Sequence, residues 1–140
     1  MSSARVNWET AMIALAVRAI RPSVRWLGEV SSEELARLYR GARCVAYVSL
    51  YEGFGLPVLE AMACGAAVVT STAPALRELA DGAAVAVDGL DAVSIAAGLE
   101  EAIAHRDELG RRGVERAAAF TWREAARRTV AVYRAAAAGA

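Results

Sequence analysis

A chain of 140 residues, 56% of them apolar, is long enough to bury one sizeable core and fits one globular domain or part of one. Its 16 basic and 16 acidic side chains cancel, which gives neither a nucleic-acid footprint nor a polybasic membrane patch. Residues 7–20 then read as a helix, with Met12, Leu15, Ala16 and Ala19 at helical spacing. Arg18 and Arg21 follow the apolar stretch rather than precede it, and no small-residue cleavage site is evident, so a signal peptide is rejected. No apolar run is long enough to span a bilayer. Residues 24–28 read as a strand. Ser31 and Glu34 form a capping box for a helix through Tyr39 that Gly41 ends.

Further strands are expected at 44–48, 67–71 and 84–87, as near-continuous apolar runs suited to burial on both faces. Helices are expected at 92–105 and at 106–119, the latter weakly broken by Gly110 and Gly113. Thr121 with Glu124 caps a last helix to about Ala137. Strands alternating with helices imply an α/β fold with a parallel sheet and right-handed crossovers.

The informative segment is Ser49 to Gly65, read as the end of a strand, a tight loop and a helix. Gly53 and Gly55 permit positive φ and put no Cβ between backbone and ligand. Pro57 suits the first helical position, where a missing N–H is no loss. The free N–H groups and positive dipole end near Leu56 to Leu59 favour a diphosphate. Glu60 lies about one turn into the helix, and an ionised carboxylate can accept from both hydroxyls of a vicinal diol such as a ribose. Glu52 sits on the loop, with seven residues between it and Glu60, where it can reach another part of the same ligand. Each feature also has a plain reading. Gly65 is a helix C-cap, Leu59 and Met62 are core residues, and Glu60 could be a solvated acid near a helix N-terminus. The combination of two acids, two glycines and a proline in one unit gives the segment its weight.

Other groups of residues carry less. His105 sits in a charged stretch and reads as a solvated helix end. With one His and two distant cysteines, Cys44 and Cys64, no zinc site is supported. Unpaired, buried cysteines suit the cytoplasm. Asp88 and Asp91 flank Gly89 and read as turn residues. The tryptophans read as packing residues. The series Arg106, Arg111, Arg112, Arg116, Arg123, Arg127 and Arg128 reads as a solvated helix face.

Residues 49–65 resemble the signature of the group 1 retaining glycosyltransferases of GT-B architecture, with Glu52 and Glu60 as the paired acids. The resemblance extends over roughly 23–136. Val24 to Ser31 resembles a strand and base-side loop, Ser32 to Gly41 the following helix, Ala66 to Ser71 the next strand, Pro74 to Glu78 its outgoing turn and helix, and Phe120-Thr121-Trp122 the closing helices. It implies a single, partial, Rossmann-like donor-binding domain over residues 1–140, a parallel sheet flanked by helices. It also implies metal-independent transfer of a hexose from a nucleotide-diphosphate sugar to an acceptor that the residues do not specify. No cofactor is expected beyond that substrate. Carried over by position, Glu52 is the catalytic acid that meets the sugar hydroxyls. Gly53, Phe54, Gly55 and Leu56 meet sugar and diphosphate through their backbone, Glu60 binds the ribose, and Val30 borders the base.

The chain also departs from the family pattern. Val48 stands where a proline often precedes the serine. The units expected before Val24 carry a basic Arg–Lys pair in the family, and this chain has no Lys at all. The expectation is therefore an N-terminally truncated domain, inactive alone, with an exposed sheet edge open to self-association. The alternative is a non-catalytic remnant, or a GT-B relative with weak nucleotide binding only.

Overall fold

The structure is a computed structural model that describes residues 24–139. The chain divides into two compact units, Met1–Ser32 and Glu33–Ala140. The helix expected at 7–20 lies outside the described residues. Residues 24–31 of the first unit carry no regular secondary structure. This corrects the strand expected at 24–28. An apolar run becomes a strand only where a ladder takes up its N–H and C=O groups, and the described sheet contains no partner for it. Gly28, at φ 69°, bends the segment instead.

The second unit is an α/β layer. Its elements are α1 (Ser32–Gly41), β1 (Val45–Tyr47), α2 (Leu56–Ala63), β2 (Val68–Ser71), α3 (Pro74–Ala80), β3 (Val85–Val87), α4 (Ala92–Ala104), α5 (Arg106–Ala118) and α6 (Trp122–Ala138). The strands lie in the order β1-β2-β3, all parallel, with Val45 opposite Val68 and Val69 opposite Val85. The strands expected at 44–48, 67–71 and 84–87 and the helices expected at 92–105, 106–119 and to about Ala137 are therefore present within a residue or two.

All four residues of β2 are buried, as a central strand covered on both faces must be. Its neighbouring residues feed opposite layers. Val68 joins Val58, Ala61 and Met62 of α2 and Leu76 and Leu79 of α3. Val69 joins Val85 and Val87 of β3, Ala102 of α4 and Leu109 of α5. That split follows from the period-2 alternation of a strand. Met62 and Leu76 are fully buried, and each burial stabilises the fold by about 1.5–3 kcal/mol.

Gly110 and Gly113 do not break α5, which runs through both. They are contact points. A Cβ on Gly110 would stand 2.5 Å from the Gly65 carbonyl oxygen, and one on Gly113 would stand 3.2 Å from Cγ of Met62. The two glycines let α5 lie directly against the C-terminal end of α2. Gly98 does the same for α4, where a Cβ would come within 2.3 Å of Val87 on the sheet.

Candidate functional site

Parallel strands bring their outgoing loops to one edge, and ligands of α/β sheets bind at the carboxyl ends of the strands. Here those loops are 48–55 after β1, 72–73 after β2 and 88–91 after β3. They are tied together. The Ser71 hydroxyl donates to the Ser49 carbonyl and accepts from the Ala73 amide at 3.2 Å. A Cβ on Gly89 would stand 3.0 Å from Leu50 and 3.2 Å from Val48, so the third loop lies directly against the first. Asp88 accepts from the Leu90 amide at 3.0 Å, and Asp91 caps α4 through the Val93 amide at 2.9 Å. Both aspartates are thus turn and cap residues.

The loop enters α2 through Gly55, the N-cap, at φ 99° and ψ 43°. Only glycine adopts this conformation without strain, and a Cβ there would stand 2.5 Å from Leu76 and 3.2 Å from Leu79 of α3. Gly53 is different. Its φ is not positive, and nothing lies within 4 Å of an added Cβ, so it opens space on the exposed side. The helix begins at Leu56, one residue earlier than the proline suggested, and Pro57 takes the second helical position.

No side chain caps α2. The Gly55 carbonyl accepts from Val58 at 3.0 Å and Leu59 at 3.4 Å, while the amides of Gly53, Phe54, Gly55 and Leu56 donate to no described residue. These orphan donors, with the positive end of the helix dipole, make the helix start suited to an anion. At the other end, Gly65 takes φ 77°. Its amide donates to Met62 at 2.9 Å and that of Ala66 to Ala61 at 3.1 Å, a Schellman closure that confirms Gly65 as the helix stop.

The loop is braced from the segment that follows α5. Phe54 meets Phe120 edge-on, ring centres 6.0 Å apart and planes at 73°. The Arg116 guanidinium lies 4.9 Å over the Phe120 ring and donates to the carbonyls of Leu79 and Glu78, both at 2.8 Å. Arg116 is therefore no part of a solvated face; its side chain is only 26% exposed. Helical periodicity could not single it out among the neighbouring arginines, because its partners lie on another helix.

Of the two acids, Glu52 is half-buried and Glu60 exposed on α2. The Tyr47 phenol donates to Oε1 of Glu52 at 2.6 Å. That hydrogen bond is the main reason the Tyr47 phenol is held above its ordinary value, with burial, the Glu52 charge and Tyr39 adding to it. Burial pushes the Tyr39 phenol up as well, and the Glu60 carboxylate and Cys64 add to it. Two tyrosines, from α1 and β1, thus stand beside the two acids, and neither was singled out from the sequence.

Thr70 is the register partner of Tyr47. It is 1% exposed, and its hydroxyl has no hydrogen-bond partner among the described residues. Glu52, Gly53, Phe54, Gly55, Leu56 and Glu60 therefore share one strand–loop–helix unit. Val30 is half-buried in the irregular segment of the first compact unit and is described by itself. Cys44 and Cys64 are free and half-buried. His105 is the residue between α4 and α5, its ring nitrogen 3.1 Å from the Glu101 carbonyl. Among the described residues no cluster of three His, Cys, Asp or Glu side chains is placed to hold a metal ion, and no helix is long and apolar enough to cross a membrane.

The family profile "Glycosyl transferases group 1" matches residues 14–120. The chain is 36% identical over 133 residues to O-antigen chain mannosyltransferase B of Escherichia coli, covering 91% of this chain and 35% of that protein. It is 39% identical over 116 residues to D-inositol 3-phosphate glycosyltransferase of Geodermatophilus obscurus, covering 81% of this chain and 26% of that one. A solved structure of sucrose-phosphate synthase from Thermosynechococcus elongatus superposes with a TM-score of 0.79 at 30% identity, over 96% of this chain and 36% of that one. The chain thus spans between about a quarter and about a third of the length of these proteins. Its α/β layer, a parallel sheet flanked by helices, is that of a GT-B glycosyltransferase. The chain belongs to the group 1 glycosyltransferases, a family of transferase enzymes.

Proposed function

We propose that residues 49–65 form the nucleotide-sugar donor site of a retaining glycosyltransferase, which moves a hexose from a nucleotide-diphosphate sugar to an acceptor. The observation that carries this reading is the uncapped start of α2, opened by Gly55 at φ 99° between Glu52 and Glu60. The amides of Gly53, Phe54, Gly55 and Leu56 meet the diphosphate, whose departure the helix dipole favours electrostatically. The two oxygens of Glu60 take the ribose diol. Glu52 takes the hydroxyls of the sugar and orients its anomeric carbon. The substrate is the only small molecule required, without a metal or other cofactor, and the reaction takes place in the cytoplasm. O-antigen chain mannosyltransferase B and a second relative, MMP alpha-(1->4)-mannosyltransferase of Mycolicibacterium hassiacum, are named for mannose. Mannose is therefore the first hexose to try.

Calorimetry with a nucleoside diphosphate, and with the corresponding hexose donor, tests the assignment. Glu60→Ala should weaken both ligands by about 1–3 kcal/mol, the cost of removing a charged hydrogen-bond partner. Glu52→Ala should weaken only the sugar-bearing ligand and depress turnover. Unchanged affinity in the Glu60 variant removes that residue from the ribose role.

A further inference from the structure

Glu52 stands on a loop, where a glutamate samples several rotamers unless something holds it. Among the described residues its one hydrogen bond is the 2.6 Å contact from the Tyr47 phenol, and no cation pairs with it. The length is that of a charge-assisted O–H···O⁻ bond. Tyr47 is itself well placed to be an anchor. It closes β1, is in register with the buried Thr70 of β2 and packs with Val45 against the apolar layer under α2. Val45, two residues earlier on the same face, fills its place with an aliphatic side chain. An aromatic or aliphatic residue would fill position 47 too, so packing does not account for the hydroxyl.

We propose that Tyr47 is a positioning residue for Glu52: its phenol fixes one carboxylate oxygen and leaves the other free for the donor sugar. The inference rests on the reading of Glu52 as the acid that meets that sugar. A phenol suits the task better than an arginine would. It donates one proton and brings no charge, so the carboxylate keeps its negative charge for the sugar hydroxyls. The same contact holds the Tyr47 phenol above its ordinary value, which keeps it protonated, and so a donor, through the neutral range.

The test uses the full natural chain that carries these residues, with radiolabelled GDP- and UDP-hexoses as donors. The variants are Tyr47→Phe, Glu52→Gln and the double substitution. Tyr47→Phe keeps the ring and removes only the hydroxyl. It should lower kcat about tenfold or more, with the affinity for bare GDP or UDP and the thermal midpoint little changed. A hydroxyl that served the stability of the fold alone would instead lower the midpoint and leave kcat in place. The double variant should be no slower than Glu52→Gln alone, since Tyr47 acts through that carboxylate.

A readout without ligand accompanies the kinetics. In Glu52→Gln the phenol of Tyr47, assigned by its loss in Tyr47→Phe, should ionise at lower pH than in the wild type. A slow Glu52→Gln beside a Tyr47→Phe of wild-type kcat overturns the inference and leaves the donor-site reading standing. Additive losses, or a Tyr47 titration indifferent to Glu52, also overturn it. A Glu52→Gln as fast as wild type, or a wild type that binds none of these donors, overturns the reading and the inference with it.

Discussion

Gly55 is held by two independent constraints, a left-handed backbone and the side chains of Leu76 and Leu79. Gly55→Ala should therefore destabilise the fold by about 1–3 kcal/mol, read as a lower denaturation midpoint in urea. Gly53→Ala, with open space around the new methyl group, should leave the midpoint within about 0.5 kcal/mol of wild type. If the donor reading holds, it should still weaken ligand binding, because that space is where the ligand approaches. The sequence made both glycines look alike. What separates them is α3 packed against one and solvent beside the other. The motif itself, with its two acids and its helix stop at Gly65, was legible because loop, helix and cap are all local. The Tyr47–Glu52 contact was not, because it depends on how the loop folds back on its own strand. Nor was Arg116, whose hydrogen bonds reach residues 37 and 38 positions away in the chain.

Capped helices were the most legible elements. Thr121 accepts from the Glu124 amide at 3.1 Å and starts α6 where the pattern placed it. The glycines of α5 were misjudged because propensity counts only what a glycine costs its own helix, about 0.8–1.0 kcal/mol against alanine. It omits the close approach a glycine allows. The difference has a sign that can be measured. On an exposed helix Gly→Ala stabilises, whereas Gly110→Ala should destabilise by about 1–3 kcal/mol, because the methyl group meets the Gly65 carbonyl. A stabilised variant in thermal melts would show that α5 does not press on α2. The strand expected at 24–28 failed for a related reason, since Val24, Trp26 and Leu27 have strand-like composition but no ladder partner in the described sheet.

The start of α6 carries a pH dependence. Hydrogen bonds from Arg127 and then Arg128 hold the Glu124 carboxyl at about 2. Its folded value lies below the unfolded one, so the contribution is full above the ordinary carboxylate value and is lost as pH falls towards 2. Helicity followed by circular dichroism from pH 5 to pH 2 should therefore fall less steeply in Glu124→Gln than in the wild type.

Among the described residues, three parallel strands carry helices on both faces, and the loops that follow them, with Glu52, Ala73 and Gly89, gather at one end, joined through Ser71. β1 and β3 each pair on one side only among the described residues. Unpaired strand edges recruit other chains, so light scattering of the purified chain should show a mass that rises with concentration; a constant monomer mass would mean that the edges are covered. The proposed donor site can be examined in the same sample by amide NMR, which registers even millimolar affinity. On titration with a nucleoside-diphosphate hexose, the largest shift changes should fall on Gly53, Phe54, Gly55, Leu56 and Glu60. Shift changes confined to residues outside 49–65, or none up to the solubility limit of the ligand, would contradict the assignment of this segment as the donor site.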